Sequence, residues 1–154
     1  MKILVILLMT FAFHYGNAQT VLSKMEGNWN GQGMLFNKPA SFQMKWETAI
    51  NNSFYRLLFK NQIDGSNQVF SAEAMYRIED DASATGWWFD IRKYFLSITS
   101  TMDQDQLTSI WQNSSEKGKT VYQLTSESTM VVTDFVWKND QWVQFGNVEY
   151  NRDN

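Results

Sequence analysis

Beyond its first eighteen residues the chain alternates apolar and polar side chains with a period of two, in short runs broken by turn-forming pairs. That pattern confines it to antiparallel sheet. Two runs are clearest. Over residues 40–50, Phe42, Met44, Trp46 and Ile50 share one face, and Ser41, Gln43, Lys45 and Glu47 the other. Over 69–79, Phe70, Ala72, Ala74, Tyr76 and Ile78 oppose Ser71, Glu73, Arg77 and Glu79. Further runs at 27–37, 54–63, 86–92, 94–101, 106–113, 119–126, 129–138 and 141–151 bring the total to about ten strands. Asn51-Asn52, Asp64-Gly65 and Asn139-Asp140 supply the positive φ angles of tight hairpins, while Asp80 to Thr85 and Ser114 to Gly118 fit looser ones. Links this short leave no room for crossover helices, which rules against a parallel α/β sheet. A meander of this length removes its exposed edges by closing on itself. The expected fold is all-β, an antiparallel up-and-down β-barrel. One short helix is expected at Thr20 to Glu26, where Val21, Leu22 and Met25 form an apolar stripe suited to plugging a barrel end and Ser23 and Glu26 have capping-box spacing.

The N-terminus reads differently. Lys2, the apolar run Ile3 to Phe13, and then Gly16-Asn17-Ala18 have the layout of a secretory signal peptide, with cleavage expected after Ala18. The run is shorter than the ~20 apolar residues of a membrane-crossing helix, and no later stretch approaches that length. No cysteine follows it to carry a lipid. The expectation is a secreted or periplasmic protein without an integral membrane segment, residues 19–154 forming one domain, since the only proline is Pro39 and nothing marks a linker. With no cysteine, packing alone must hold a fold that other exported proteins brace with disulfides.

Composition removes most catalytic chemistry. The only histidine, His14, lies in the signal segment, so the mature chain has neither histidine nor cysteine for acid–base work, nucleophilic attack or the usual metal sites. No metal or other cofactor is expected. Carboxylate chemistry remains, but Glu47, Glu73 and Glu79 fall on solvent faces, whereas a glycosidase needs two carboxyls facing one cleft. Asp80-Asp81 and Asp103-x-Asp105 read as solvated turns that lack a full calcium loop. The chain is therefore expected not to be an enzyme, with a carboxylate-dependent hydrolase or isomerase as the catalytic alternative. A net charge of −3 without a Lys/Arg cluster argues against nucleic acid.

Seven tryptophans, six tyrosines and eleven phenylalanines are many for 154 residues. On inward faces they either fill a barrel or line a pocket within it. By phase, the wall candidates for a small hydrophobic or amphipathic ligand are Phe42, Met44, Trp46, Tyr55, Leu57, Phe59, Tyr76, Trp87, Phe89 and Trp111, with Tyr150 as a polar anchor beside Arg152. Gly31, Gly33, Ala72 and Ala74 on the same phase leave space, although strand glycines equally mark bends. Trp87-Trp88 puts one indole on each face; Trp87 is expected inside, with Trp88 exposed to a sugar or partner. The alternative to a ligand carrier is a filled barrel acting through its surface as a protein- or glycan-interaction module. Oligomeric state is not indicated.

Gly27-Asn28-Trp29 at the first strand, Thr133-Asp134-Phe135 late in the chain and Arg152 beyond it together resemble the lipocalins and their calycin relatives. There, Gly-x-Trp opens the first strand, Thr-Asp-Tyr comes late, and an arginine follows. The resemblance implies that Trp29 packs under Arg152 as a structural pair at the closed end of the barrel. A guanidinium stacked on an indole with its donors on backbone carbonyls is physically sound for such a pair. Gly31 and Gly33 extend the motif to Gly-x-Trp-x-Gly-x-Gly, which looks more like the bacterial lipocalin-like and nitrobindin-like barrels. Nitrobindins hold haem through a histidine, and a mature chain without histidine or cysteine disfavours haem. Lipocalins also continue past the late arginine into a helix and another strand, whereas this sequence stops at Asn154. Tyr150-Asn151-Arg152 resembles, in reversed order, the pair that holds a ligand carboxylate in fatty-acid-binding relatives.

Overall fold

The computed structural model describes residues 20–153; the expected signal segment, residues 1–18, lies outside them. After helix α1 (Val21–Met25) come ten strands: β1 (Gly27–Leu35), β2 (Lys38–Ala49), β3 (Phe54–Ile63), β4 (Phe70–Asp80), β5 (Ser83–Asp90), β6 (Phe95–Met102), β7 (Gln106–Gln112), β8 (Lys117–Leu124), β9 (Thr129–Lys138) and β10 (Gln141–Arg152). Each pairs antiparallel with its neighbours in sequence, and β1 pairs with β10 to close the barrel.

Turn chemistry sets the register. Asn139 and Asp140, with φ of 50° and 59°, make the two-residue hairpin read from the sequence. Phe36 and Asn37 make another at φ 50° and 61°. Phe36 is a poor turn former, but its ring stacks on Phe145 at 5.0 Å, and this ends β1 two residues earlier than the alternation suggests. Ile50 also leaves its expected phase. It enters the β2–β3 turn at φ 50° beside Asn51 and Asn52 and stands exposed instead of facing inward with Trp46.

One end of the barrel is sealed. Thr20, rather than Ser23, caps α1 by accepting from the Ser23 N–H at 3.4 Å, and Val21, Leu22 and Met25 are buried in the barrel mouth. The Trp29 indole donates to the Met25 carbonyl at 2.8 Å. The Arg152 guanidinium lies 4.2 Å over the Trp29 ring and donates to the carbonyls of Lys24 (2.6 Å), Glu127 (2.9 Å) and Glu26. Lys24 pairs with Asp105 at 2.9 Å, tying α1 to the β6–β7 turn. Every orphan carbonyl named here has a donor, which is what closing a sheet end demands.

Candidate functional site

The lumen is uneven along its axis. In the half next to α1, Trp46 on β2 reaches across to Tyr122 on β8 (ring centroids 5.5 Å apart, edge to face) and to Tyr76 on β4 (5.3 Å). Leu57, Leu107 and Met130 fill the gaps, all fully buried. The Tyr76 hydroxyl lies near Ser109 and Tyr122, and Ser109 Oγ lies 2.9 Å from Ser100 Oγ. Burial pushes Tyr76 up to about 12 and lifts Tyr122 and Tyr150 well above the ordinary tyrosine value, so these hydroxyls stay neutral. This half is a packed core with a polar seam.

At the opposite end the inward side chains no longer meet across the barrel axis in the same way. Phe59 on β3 packs against Phe70 on β4 (6.2 Å), Trp88 on β5 (5.8 Å) and Phe42 on β2 (6.3 Å), forming one wall. Facing it are Trp111 on β7, Thr120 on β8, Asp134 on β9 and Phe145 on β10. Phe59, Phe70, Trp88, Trp111, Asp134 and Phe145 are only partly buried, unlike the core residues of the other half.

Asp134 is the chemical focus of that half. The Trp111 indole lies flat against Gly118, where an added Cβ would fall 1.9 Å from the ring. That placement lets Nε1 donate to Thr120 Oγ1 at 3.1 Å, and the same hydroxyl donates to Asp134 Oδ1 at 2.6 Å. Across the β9–β10 pair sits Gly146, whose missing side chain leaves room for the carboxyl; a Cβ there would lie 3.0 Å from Oδ2. Burial raises Asp134 to about 6, with the Thr120 hydroxyl only partly offsetting it. A second acid at this end, Asp90, is already answered. Its side chain is fully buried and accepts from Arg92 (2.6 Å) and from the Trp88 indole (3.1 Å). Burial alone would push Asp90 up, but these donors outweigh it and hold it below the ordinary carboxylate value.

Of the wall candidates, Phe42, Met44, Trp46, Leu57, Tyr76 and Tyr150 face inward and are buried, while Tyr55, Phe59 and Trp111 are partly buried against the same core. Trp87 and Phe89 are corrections: both point outward, 48% and 45% exposed, and form an external aromatic stripe with Phe95. Their neighbours explain this, because Ala84 and Gly86 face in and fix the phase, making Trp88 the inward indole. The space left by Gly31 is taken by the Tyr150 ring and Val148, each 2.7 Å from where a Cβ would stand. Arg152 is wholly engaged at the sealed end, so the Tyr150–Arg152 carboxylate anchor does not form. Asp134, Thr120 and Trp88 also lie on the inward phase and were not among the wall candidates. The signal for Asp134 lay in β9, where Met130, Val132, Asp134 and Val136 put an acid on the inward phase.

Outside the barrel, a cleft of about 520 Å³ runs over β1–β3, lined by the outward Asn30, Gln32, Ser41, Gln43, Lys60 and Gln62. Among the described residues no group of three or more His, Cys, Asp or Glu is placed to hold a metal ion, and no helix is long and apolar enough to cross a membrane.

No family model matches the chain, and no curated protein matches its sequence. Among solved structures, the fold is similar to that of the S-type phycobiliprotein lyase of Guillardia theta, with a TM-score of 0.64 at 8% sequence identity over 86% of this chain and 90% of that one. At so low an identity the likeness is one of fold alone: this chain is a closed ten-stranded antiparallel barrel with a short N-terminal helix.

Proposed function

We propose that this protein is an exported, lipocalin-like binding protein that holds a small hydrophobic or amphipathic molecule in the open half of its barrel. The observation that carries the reading is the contrast within the lumen. One half is filled by Trp46, Tyr76 and Tyr122, and the other presents partly exposed rings of Phe59, Trp88 and Trp111 around a single unpaired carboxylate. Apolar walls with one or two polar groups are the ordinary make-up of a small-molecule site. The barrel fold is shared with a phycobiliprotein lyase. The signal-like segment ending at Ala18 supports export, and the resemblance of the Gly27 to Trp29, Thr133 to Phe135 and Arg152 motifs supports the lipocalin-like assignment.

The test is native mass spectrometry on protein recovered from the periplasm or medium. The expected result is a mature chain beginning at Gln19 with a co-purifying small molecule that is lost in Phe59→Ala. A protein that remains in the cytoplasm with residues 1–18 attached overturns export. A ligand retained by Phe59→Ala and displaced by substitution at Lys60 or Gln43 moves the site to the outer cleft. A second reading, a surface interaction module, is favoured by the exposed Trp87, Phe89 and Phe95 stripe. Capture that depends on Trp87, with an empty lumen, would support it.

A further inference from the structure

The charge pattern of the open half narrows the ligand class, and the narrowing rests on the lumen reading above. Among the described residues, Lys45, Arg56, Lys60, Arg77, Lys117 and Lys119 alternate with inward neighbours and therefore point outward. Lys38 and Lys138 share the inward phase only at exposed strand ends. Arg152 is spent on Trp29 and three carbonyls, and Arg92 on Asp90 and Glu116. Asp134 is thus a partly buried acid with one hydroxyl partner and no counter-charge among the described residues. The titratable groups that face it are Tyr76 on β4, Tyr122 on β8 and Tyr150 on β10, all held neutral by burial.

A buried carboxylate without a partner is costly, and an occupant that brings a positive charge removes the cost. Aromatic rings on the same inward phase favour a cation for a separate reason, the attraction of their quadrupoles. An anionic ligand would meet neither and would add like-charge repulsion.

We infer that the open half of the barrel takes ligands bearing a protonated amine, with Asp134 as the counter-charge and the rings of Phe59, Trp88 and Trp111 around the cation, and that it rejects carboxylates of the same shape. A ligand carboxylate would need an interior cation, and every arginine here points outward or is engaged elsewhere.

Three probes of one size and differing charge test this on the mature full chain: phenethylamine, 2-phenylethanol and phenylacetate, with binding followed by calorimetry at pH 8. The amine is expected to bind about tenfold or more tightly than the acid, the scale of one charge-assisted hydrogen bond, with the alcohol between them. Asp134→Asn is expected to bring the amine down to the alcohol and leave the alcohol unchanged. A wild-type profile guards against a folding defect in the variant. Amine affinity should fall between pH 8 and pH 5 as Asp134 takes up a proton, while alcohol affinity stays flat. Equal or tighter binding of phenylacetate, or an amine preference that survives Asp134→Asn, overturns the amine assignment and leaves the lumen reading standing. If none of the three binds, both fall.

Discussion

The two ends of this barrel are made from the same kinds of residue and meet opposite requirements. At the α1 end, Trp29 and Arg152 have protein partners for their polar groups, and the tyrosines and Trp46 pack ring to ring across the lumen. At the open end, rings of comparable size stay partly in water and a carboxylate is left with a single hydroxyl donor. An aromatic-rich chain is therefore not uniformly a core. Ring-to-ring packing across the lumen marks the half that stabilises the fold, even though the Trp46 indole N–H goes unpaired there, and the partly exposed rings mark the other.

Five substitutions, in four tests, break or sharpen that contrast. Trp29→Ala should have the largest effect, a loss of about 3–5 kcal/mol in urea unfolding, because it removes a fully buried indole and strips the stack from Arg152. A loss below about 1 kcal/mol would mean the sealed end is not what holds the barrel. Next come two neighbouring inward positions on β3. Leu57→Ala, in the filled half, should cost about 2–4 kcal/mol, and Phe59→Ala, in the open half, about half as much despite the larger side chain. Equal costs would erase the distinction between the halves.

The third is Asp134→Asn, read against pH. Near pH 4 the folded carboxyl is protonated at little expense. As pH rises toward about 6 the unfolded chain's carboxylate ionises while the folded one does not, so this group lowers stability across that window and the loss then levels off. The variant lacks the effect. Its stability relative to wild type should therefore rise by on the order of 2 kcal/mol between pH 4 and pH 8, and a flat difference would show that Asp134 is well solvated. The smallest effect belongs to Trp87→Gln. With the indole outside, unfolding free energy should move by no more than about 0.5 kcal/mol, and lumen binding should not change.

The sheet was legible because its strands carry clean alternation and its hairpins carry Asn and Asp. β3 and β9 run over the residues expected, Phe54–Ile63 and Thr129–Lys138. The candidate site was legible only in part, for two physical reasons. Through Gly86, Trp87, Trp88 and Phe89 every residue is apolar or small, so alternation cannot state which face is inside, and Ala84 and Gly86 settle it only once β4 and β6 are paired. Asp134 sits both in a motif that reads as a family signature and, as an acid among Met130, Val132 and Val136, on the apolar phase of β9, so one residue carries two readings. Gly31 shows a third limit. Absence of a side chain marks room, but only packing decides that Tyr150 fills it.

The seam between β1 and β10 joins the earliest strand of the chain to the last. A growing polypeptide can lay down the meander in order, yet the cylinder stays split, with a row of idle backbone donors along its first strand, until residues 146–152 arrive. Shortening the C-terminus by those few positions would thus do more than trim one stave: the hoop would spring open, and with Arg152 gone the N-terminal plug would lose its latch.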